Sequence, residues 1–270
     1  MFDNYEQNFL NSLTNSIVSF TFVFINFFSL NILIEAYGIN DTQKNNNIVN
    51  FDNLVAEYIN WWVNVPFEED PQELDNPCVI HDTDSVIFLH DPFEMGSIKN
   101  TCTISQKSLF FPFYNGWCTS GHKDLYGTTS YEKLLKCTLD SNRGIVTMTA
   151  HLDGHKIVDV LIDNTDVNNL KVRYNNSNSY YKEIGPTNFF DLIVTNKTQF
   201  TSYEKPEDFA SSPAKYKAVA YCFCGFIDKD KITPGNHQLT YYTKIEGSGG
   251  LDKEKDWDHE STITYLLTVK

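Results

Sequence analysis

Apolar residues are patterned in two ways along the chain. Ile17 to Ile34 reads IVSFTFVFINFFSLNILI, one almost unbroken apolar run. Beyond Cys78 the apolar positions come in short stretches rich in β-branched and aromatic residues, parted by Gly, Asn and Pro, which is the signature of strands. Strands are expected at Ser85–His90, Thr101–Ser105, Leu109–Tyr114, Gly144–Leu152, His155–Asp163, Lys171–Tyr174, Phe189–Thr195, Tyr216–Ile227, His237–Ile245 and Ser261–Val269. Two helices interrupt the pattern. In the first, Leu54, Tyr58, Trp61, Trp62 and Val65 recur near one face, Asp52 or Asn53 can cap the start, and Pro66 closes it. The second follows Thr129-Ser130-Tyr131-Glu132, which has the spacing of a capping box, ahead of Lys133–Cys137. Many short strands with one or two short helices predict a mainly β fold, an antiparallel β-sandwich or jelly roll spanning residues 51–270 as one domain, behind an N-terminal apolar helix. Gly247-Ser248-Gly249-Gly250 and LDKEKDWDHE read as a surface loop. Trp257 within it is a candidate ligand-contacting aromatic.

The amino-terminal run bears on location. It is long enough to cross a bilayer, and Ala36 and Gly38 have the small-residue spacing of a signal-peptidase site. Residues 1–38 therefore read as a cleaved signal, a retained anchor or a buried helix; the absence of Lys and Arg from Met1 to Tyr37 counts against the first. Residues 39–50 are an Asn-rich flexible leader. The first two readings put the remainder outside the cytoplasm, extracellular or at the cell surface, with membrane association through residues 17–34. All six cysteines follow this run, and an even count in an exported chain points to disulfides. Spacing favours Cys78 with Cys102 and Cys118 with Cys137, which leaves Cys222 and Cys224. Those two lie two apart on a strand and face the same way, so they could pair with each other or elsewhere, hold a soft metal, or remain buried thiols. Asn40, Asn175 and Asn196 head N-x-Ser/Thr sequons. With 35 acidic against 21 basic residues, a net charge of -14 repels phosphate backbones, so nucleic acid is excluded as a partner, as is docking on anionic lipid through basic patches.

Little else resembles chemistry. His151-Leu152-Asp153-Gly154-His155 looks like a metal box, yet Asp-Gly between two β-patterned runs favours a two-residue hairpin turn. That turn sets Leu152 opposite His155, His151 opposite Lys156, Ala150 opposite Ile157 and Met148 opposite Asp159, and it sends the two imidazoles to opposite faces. The strongest metal candidate is His81, Asp82 and Asp84 with His90, a set that could take calcium or a transition metal. Its competing reading is a turn whose aspartates bond their own backbone, and Asp163-Asn164-Thr165-Asp166 shares that ambiguity. No nucleophile elbow, phosphate loop or dinucleotide fingerprint occurs. Trp61, Trp62, Trp117 and Trp257 could form a sugar platform, although aromatic residues more often build a core.

Trp61-Trp62-Val63-Asn64-Val65-Pro66, Asn76-Pro77-Cys78, SVIFLHDPFEMGSIKNTCTI and SLFFPFYNGWC resemble motifs of a group of exported β-rich proteins from soil and marine microbes, including ammonia-oxidising archaea. Leu152-Asp153-Gly154 and the run ITPGNHQL are similar to later motifs of that group. The resemblance covers most of residues 61–269 and departs at His90-Asp91, Cys222 and Cys224. It implies an exported β domain and brings no reaction with it. The sequence thus predicts an exported or surface-anchored structural or binding module of the cell envelope, without catalysis or cofactor, whose partner is a cell-surface protein or a glycan. The alternatives are an extracellular metal-dependent enzyme using His81, Asp82, Asp84 and His90, and a calcium-stabilised adhesion domain.

Overall fold

Strand formation follows the alternation closely in the computed structural model, which describes residues 50–66, 69, 78–90, 96–122, 125–165, 171–174, 180–195, 214–248 and 257–270. The apolar run 17–34, residues 39–49 of the leader, and the sequons at Asn40, Asn175 and Asn196 lie outside the described residues. The described elements, in order, are α1 (Phe51–Trp62), β1 (Ile80–Asp82), β2 (Val86–Leu89), β3 (Gly96–Ile104), β4 (Ser108–Thr119), α2 (Tyr131–Ser141), β5 (Ile145–Leu152), β6 (His155–Asp163), β7 (Lys171–Tyr174), β8 (Tyr181–Ile184), β9 (Phe190–Val194), β10 (Ala214–Ile227), β11 (Gly235–Ser248) and β12 (Trp257–Val269). A single 3-10 turn, Lys229–Lys231, links β10 to β11.

Among the described residues the protein is mainly β, with two short helices. The expectation of a purely antiparallel fold is corrected: both sheets are mixed. One runs β1-β2-β4-β10-β8, with β9 also on β10, and its β2–β4 pair is parallel. The other runs β3-β12-β11-β5-β6-β7, and its β3–β12 pair is parallel. Parallel neighbours need long connections rather than hairpins, so local turn signals could not announce them. β1 and β8, only three and four residues long, also escaped the pattern. β12 begins at Trp257, whose backbone pairs with Ser248, so Trp257 opens a strand instead of lying in a loop.

Two bulges reconcile apolar runs with the pleat. The Asp-Gly turn forms as expected: Asp153 and Gly154 have φ of 51° and 79°, the positive values of a type I′ turn. Leu152 faces His155 and His151 faces Lys156. Beyond them the expected register fails, because Ala150 pairs with Val158 and Met148 with Val160. The regular register would have set Asp159 against buried Met148. A bulge at Ile157 instead turns Val158, Val160 and Ile162 inward, all three buried. In β4, Phe113 is the extra residue against Phe223-Cys224. The irregularity falls beside Pro112, which has no N–H to give and lies past Phe110, where the pairing of β4 with β2 ends.

Both caps are displaced from their predicted positions. Asn50, not Asp52 or Asn53, caps α1, its side chain accepting from the Asn53 N–H at 3.3 Å. Ser130, not Thr129, caps α2: its hydroxyl accepts from the Lys133 N–H at 3.3 Å and donates to Glu132 at 2.8 Å. α1 buries Val55, Tyr58, Ile59 and Trp62. Its Tyr58 ring meets Phe88 and Phe110 on the first sheet. The opposite faces of the two sheets meet in one hydrophobic core, with Ile87, Leu89, Phe111, Phe113 and Phe223 from the first and Val146, Met148, Leu239, Tyr241 and Tyr265 from the second. The Phe111 and Tyr241 rings touch across it at 5.0 Å.

Candidate functional site

With the inner face of the second sheet committed to the core, alternation sends every other residue of β3, β12 and β11 outward. Those outward positions are strongly hydroxylic. Register places Thr262 beside Ser97, Thr264 beside Lys99 and Leu266 beside Thr101 on β3. On the other side of β12, Thr264 meets Thr240 and Leu266 meets Gln238. The result is a groove of about 310 Å³ lined by Ser97, Ile98, Lys99, Gln238, Thr262, Thr264 and Leu266, at the small end of the range in which proteins hold small ligands. Its polar groups are pre-ordered in part. The Gln238 amide donates to Thr240 Oγ1 at 3.3 Å, and Thr240 and Thr264 share a hydrogen bond at 3.2 Å.

One end of this network is clamped. The Asp153 N–H donates to the Gln238 carbonyl at 2.8 Å, and Asp153 Oδ1 accepts from the Gln238 N–H at 2.8 Å. Asp153 Oδ2 lies 2.7 Å from His237 Nδ1, and His237 Nε2 lies 2.7 Å from the Thr233 carbonyl. Neither a carboxylate nor a carbonyl can donate, so both contacts are hydrogen bonds when the imidazole is protonated, with each ring nitrogen donating. Its pKa is raised by the hydrogen bond to Asp153, against the opposing effect of burial, with further help from the Thr233 carbonyl. Burial works against charge on Asp153, but the hydrogen bonds from His237 and from the Gln238 N–H outweigh it and hold the carboxyl below its ordinary value.

The predicted metal residues are not brought together. His81 stacks between Trp61 and Phe88, at 5.6 and 5.7 Å between ring centroids, with Nε2 3.8 Å from Glu57. Asp82 takes Lys107 as its partner at 2.6 Å, and Asp84 is exposed. His90 is fully buried, with its ring edge-on to Trp61 and its carbonyl accepting from Tyr241 at 3.3 Å and Tyr265 at 3.0 Å. Among the described residues no three His, Cys, Asp or Glu side chains converge on a metal position. Trp62 is buried, while Trp61 and Trp117 are half-buried.

The cysteines pair as spacing favoured. Cys78–Cys102 ties the approach to β1 in the first sheet to β3 in the second, with 5.1 Å between Cα atoms. Cys118–Cys137 fastens α2 to β4, and Cys222–Cys224 closes within β10. All six are used, which replaces the soft-metal and free-thiol readings of Cys222 and Cys224. Three disulfides belong to an oxidising, extracytoplasmic setting.

No family model matches the chain, and no curated protein or solved structure is similar to it.

Sequence reasoning missed the groove and the His237 clamp. The local signal was present in the alternating hydroxyls of Lys99-Asn100-Thr101-Cys102-Thr103 and Thr262-Ile263-Thr264. What assembles them is the parallel β3–β12 pair, between strands more than 150 residues apart, which no local pattern specifies.

Proposed function

We propose that the chain is an exported or surface-anchored β-sandwich that acts as a binding module of the cell envelope, without catalysis, and that its ligand is a glycan held in the groove on the outer face of the second sheet. The observation that carries this reading is the groove itself. It concentrates hydroxyl and amide groups on a rigid sheet face, with Leu266 as an apolar contact, a combination suited to the alternating O–H and C–H surface of a sugar ring. The disulfides support an oxidising location, and the apolar segment 17–34 supports export or anchoring.

The test is binding of the full-length protein to a panel of immobilised glycans, compared with Gln238→Ala and Thr264→Val. Retention by at least one glycan, weakened severalfold in both variants, supports the module. Binding indifferent to both substitutions removes the groove as the site. An enzyme using His81, Asp82, Asp84 and His90 makes a different prediction: stoichiometric zinc, iron or copper in the purified protein, lost in His81→Ala. That result would replace the module with a metal enzyme.

A further inference from the structure

Building on the reading of the groove as a glycan site, we propose that its ligand is an acidic saccharide, a sugar ring bearing one anionic substituent that Lys99 recognises. The lining contains one ammonium group and no carboxylate, in a chain whose acidic residues outnumber its basic ones 35 to 21. Lys99 is exposed on β3, and no carboxylate among the described residues forms an ion pair with it. Its register neighbour Thr264 is neutral, so nothing in the groove competes for its charge.

The remaining lining fits a ring rather than a bare anion. Ser97, Thr262 and Thr264 each offer a donor and an acceptor, and Gln238 offers both through its amide. Leu266 gives an apolar patch for the C–H face of a pyranose. A single exposed ammonium holds a free anion weakly; a ring that also meets the hydroxyls and Leu266 adds contacts that a small ion cannot make. The whole-molecule charge of -14 disfavours a densely charged polymer. The ligand is therefore an acidic sugar unit standing alone or among neutral ones, not a continuous polyanion.

The experiment titrates the full-length protein with methyl galacturonoside and with its neutral twin, methyl galactoside, by calorimetry at low and high salt. The acidic sugar is expected to bind about fivefold more tightly at low salt, the range of one exposed ion pair. That preference should fall to within about twofold at high salt and in Lys99→Gln. Thr264→Val should weaken both sugars together. Equal affinity for the two in the wild-type protein overturns the acidic class and leaves the glycan groove standing. A preference that survives Lys99→Gln overturns the assignment to Lys99. Binding of neither sugar, in a protein that also retains no glycan from the panel, overturns both proposals. Lys99→Gln alters an exposed position, and an unchanged melting temperature verifies that its fold is intact.

Discussion

At the scale of single residues, the Asp153–His237 pair is the feature most sensitive to conditions. His237 has its pKa raised above the ordinary 6.5, so its stabilising contribution is complete below that value and is lost as pH rises through the higher folded-state value. Asp153 is lowered from 3.8, so its contribution is complete above that value and is lost as pH falls through the lower folded-state one. Both are therefore in place between about pH 4 and 6.5. His237→Gln should cost about 1 kcal/mol in that window, a figure kept small because the Asp153 carboxylate is more than a third exposed. The gap between wild-type and variant melting curves should close on the alkaline side; a gap that stays constant from pH 5 to about 10 would show that His237 acts by packing alone. A second residue-scale prediction concerns Gly225. A Cβ there would overlap the Phe111 ring, which is itself fully buried. Gly225→Ala should cost about 1–3 kcal/mol in denaturant unfolding, with part of the loss recovered when Phe111→Leu is added.

At the scale of elements, α1 does the work of a missing strand. β9 is an edge strand, paired with β10 on one side. On its other side Asn60 donates to the Asp191 carbonyl at 2.9 Å and accepts from the Ile193 N–H at 3.0 Å. One helical turn later, Asn64 donates to the Ile193 carbonyl at 2.6 Å and accepts from the Thr195 N–H at 2.8 Å. The four-residue spacing between Asn60, in the last turn of α1, and Asn64, just past its C-cap, thus matches the i, i+2 spacing of the strand's outward backbone groups. Edge strands left bare invite pairing with other chains. Asn60→Ala with Asn64→Ala should lower stability by about 2 kcal/mol and raise light scattering on heating, whereas Asn53→Ala on the exposed face of the same helix should do neither. These asparagines show where sequence reading stops. The β6 and β7 bounds and the Asp-Gly turn were legible to the residue, because alternation and turn chemistry are local. Asn60 and Asn64 carry no local sign of this role, since their partners lie about 130 positions away. The two bulges were hidden for a related reason: each is chosen by which side chains the opposite sheet will accept, at Val158 and Phe113, and not by the strand's own pattern.

At the scale of the whole molecule, the two sheets are joined by a shared core, by cross-sheet hydrogen bonds such as Thr243 Oγ1 to the Phe113 carbonyl at 2.9 Å, and by one covalent tie, Cys78–Cys102. The three disulfides differ in how much chain they constrain. With sequence separations of 24, 19 and 2, loop closure in the unfolded state assigns them about 3.5, 3.3 and 1.6 kcal/mol. They differ as well in access. Cys78 is exposed, whereas Cys102, Cys118, Cys137, Cys222 and Cys224 are each 9% exposed or less, and thiol exchange requires that an attacking thiolate reach a sulfur. Mild reductant applied to the folded protein should therefore open Cys78–Cys102 first. Alkylation and intact mass would register two thiols before four or six, and peptide mapping would place both labels on Cys78 and Cys102. Stability to denaturant should drop by about 3.5 kcal/mol at that step, and Cys78→Ser with Cys102→Ser should show the same loss without reductant. The Cys222–Cys224 pair should open last, because the exchange must wait for β10 to separate from β4 and β8, which is close to global unfolding. Early labelling of Cys222 and Cys224 would mean that the centre of the first sheet opens locally, and the shared core could not then be the element that holds the molecule together.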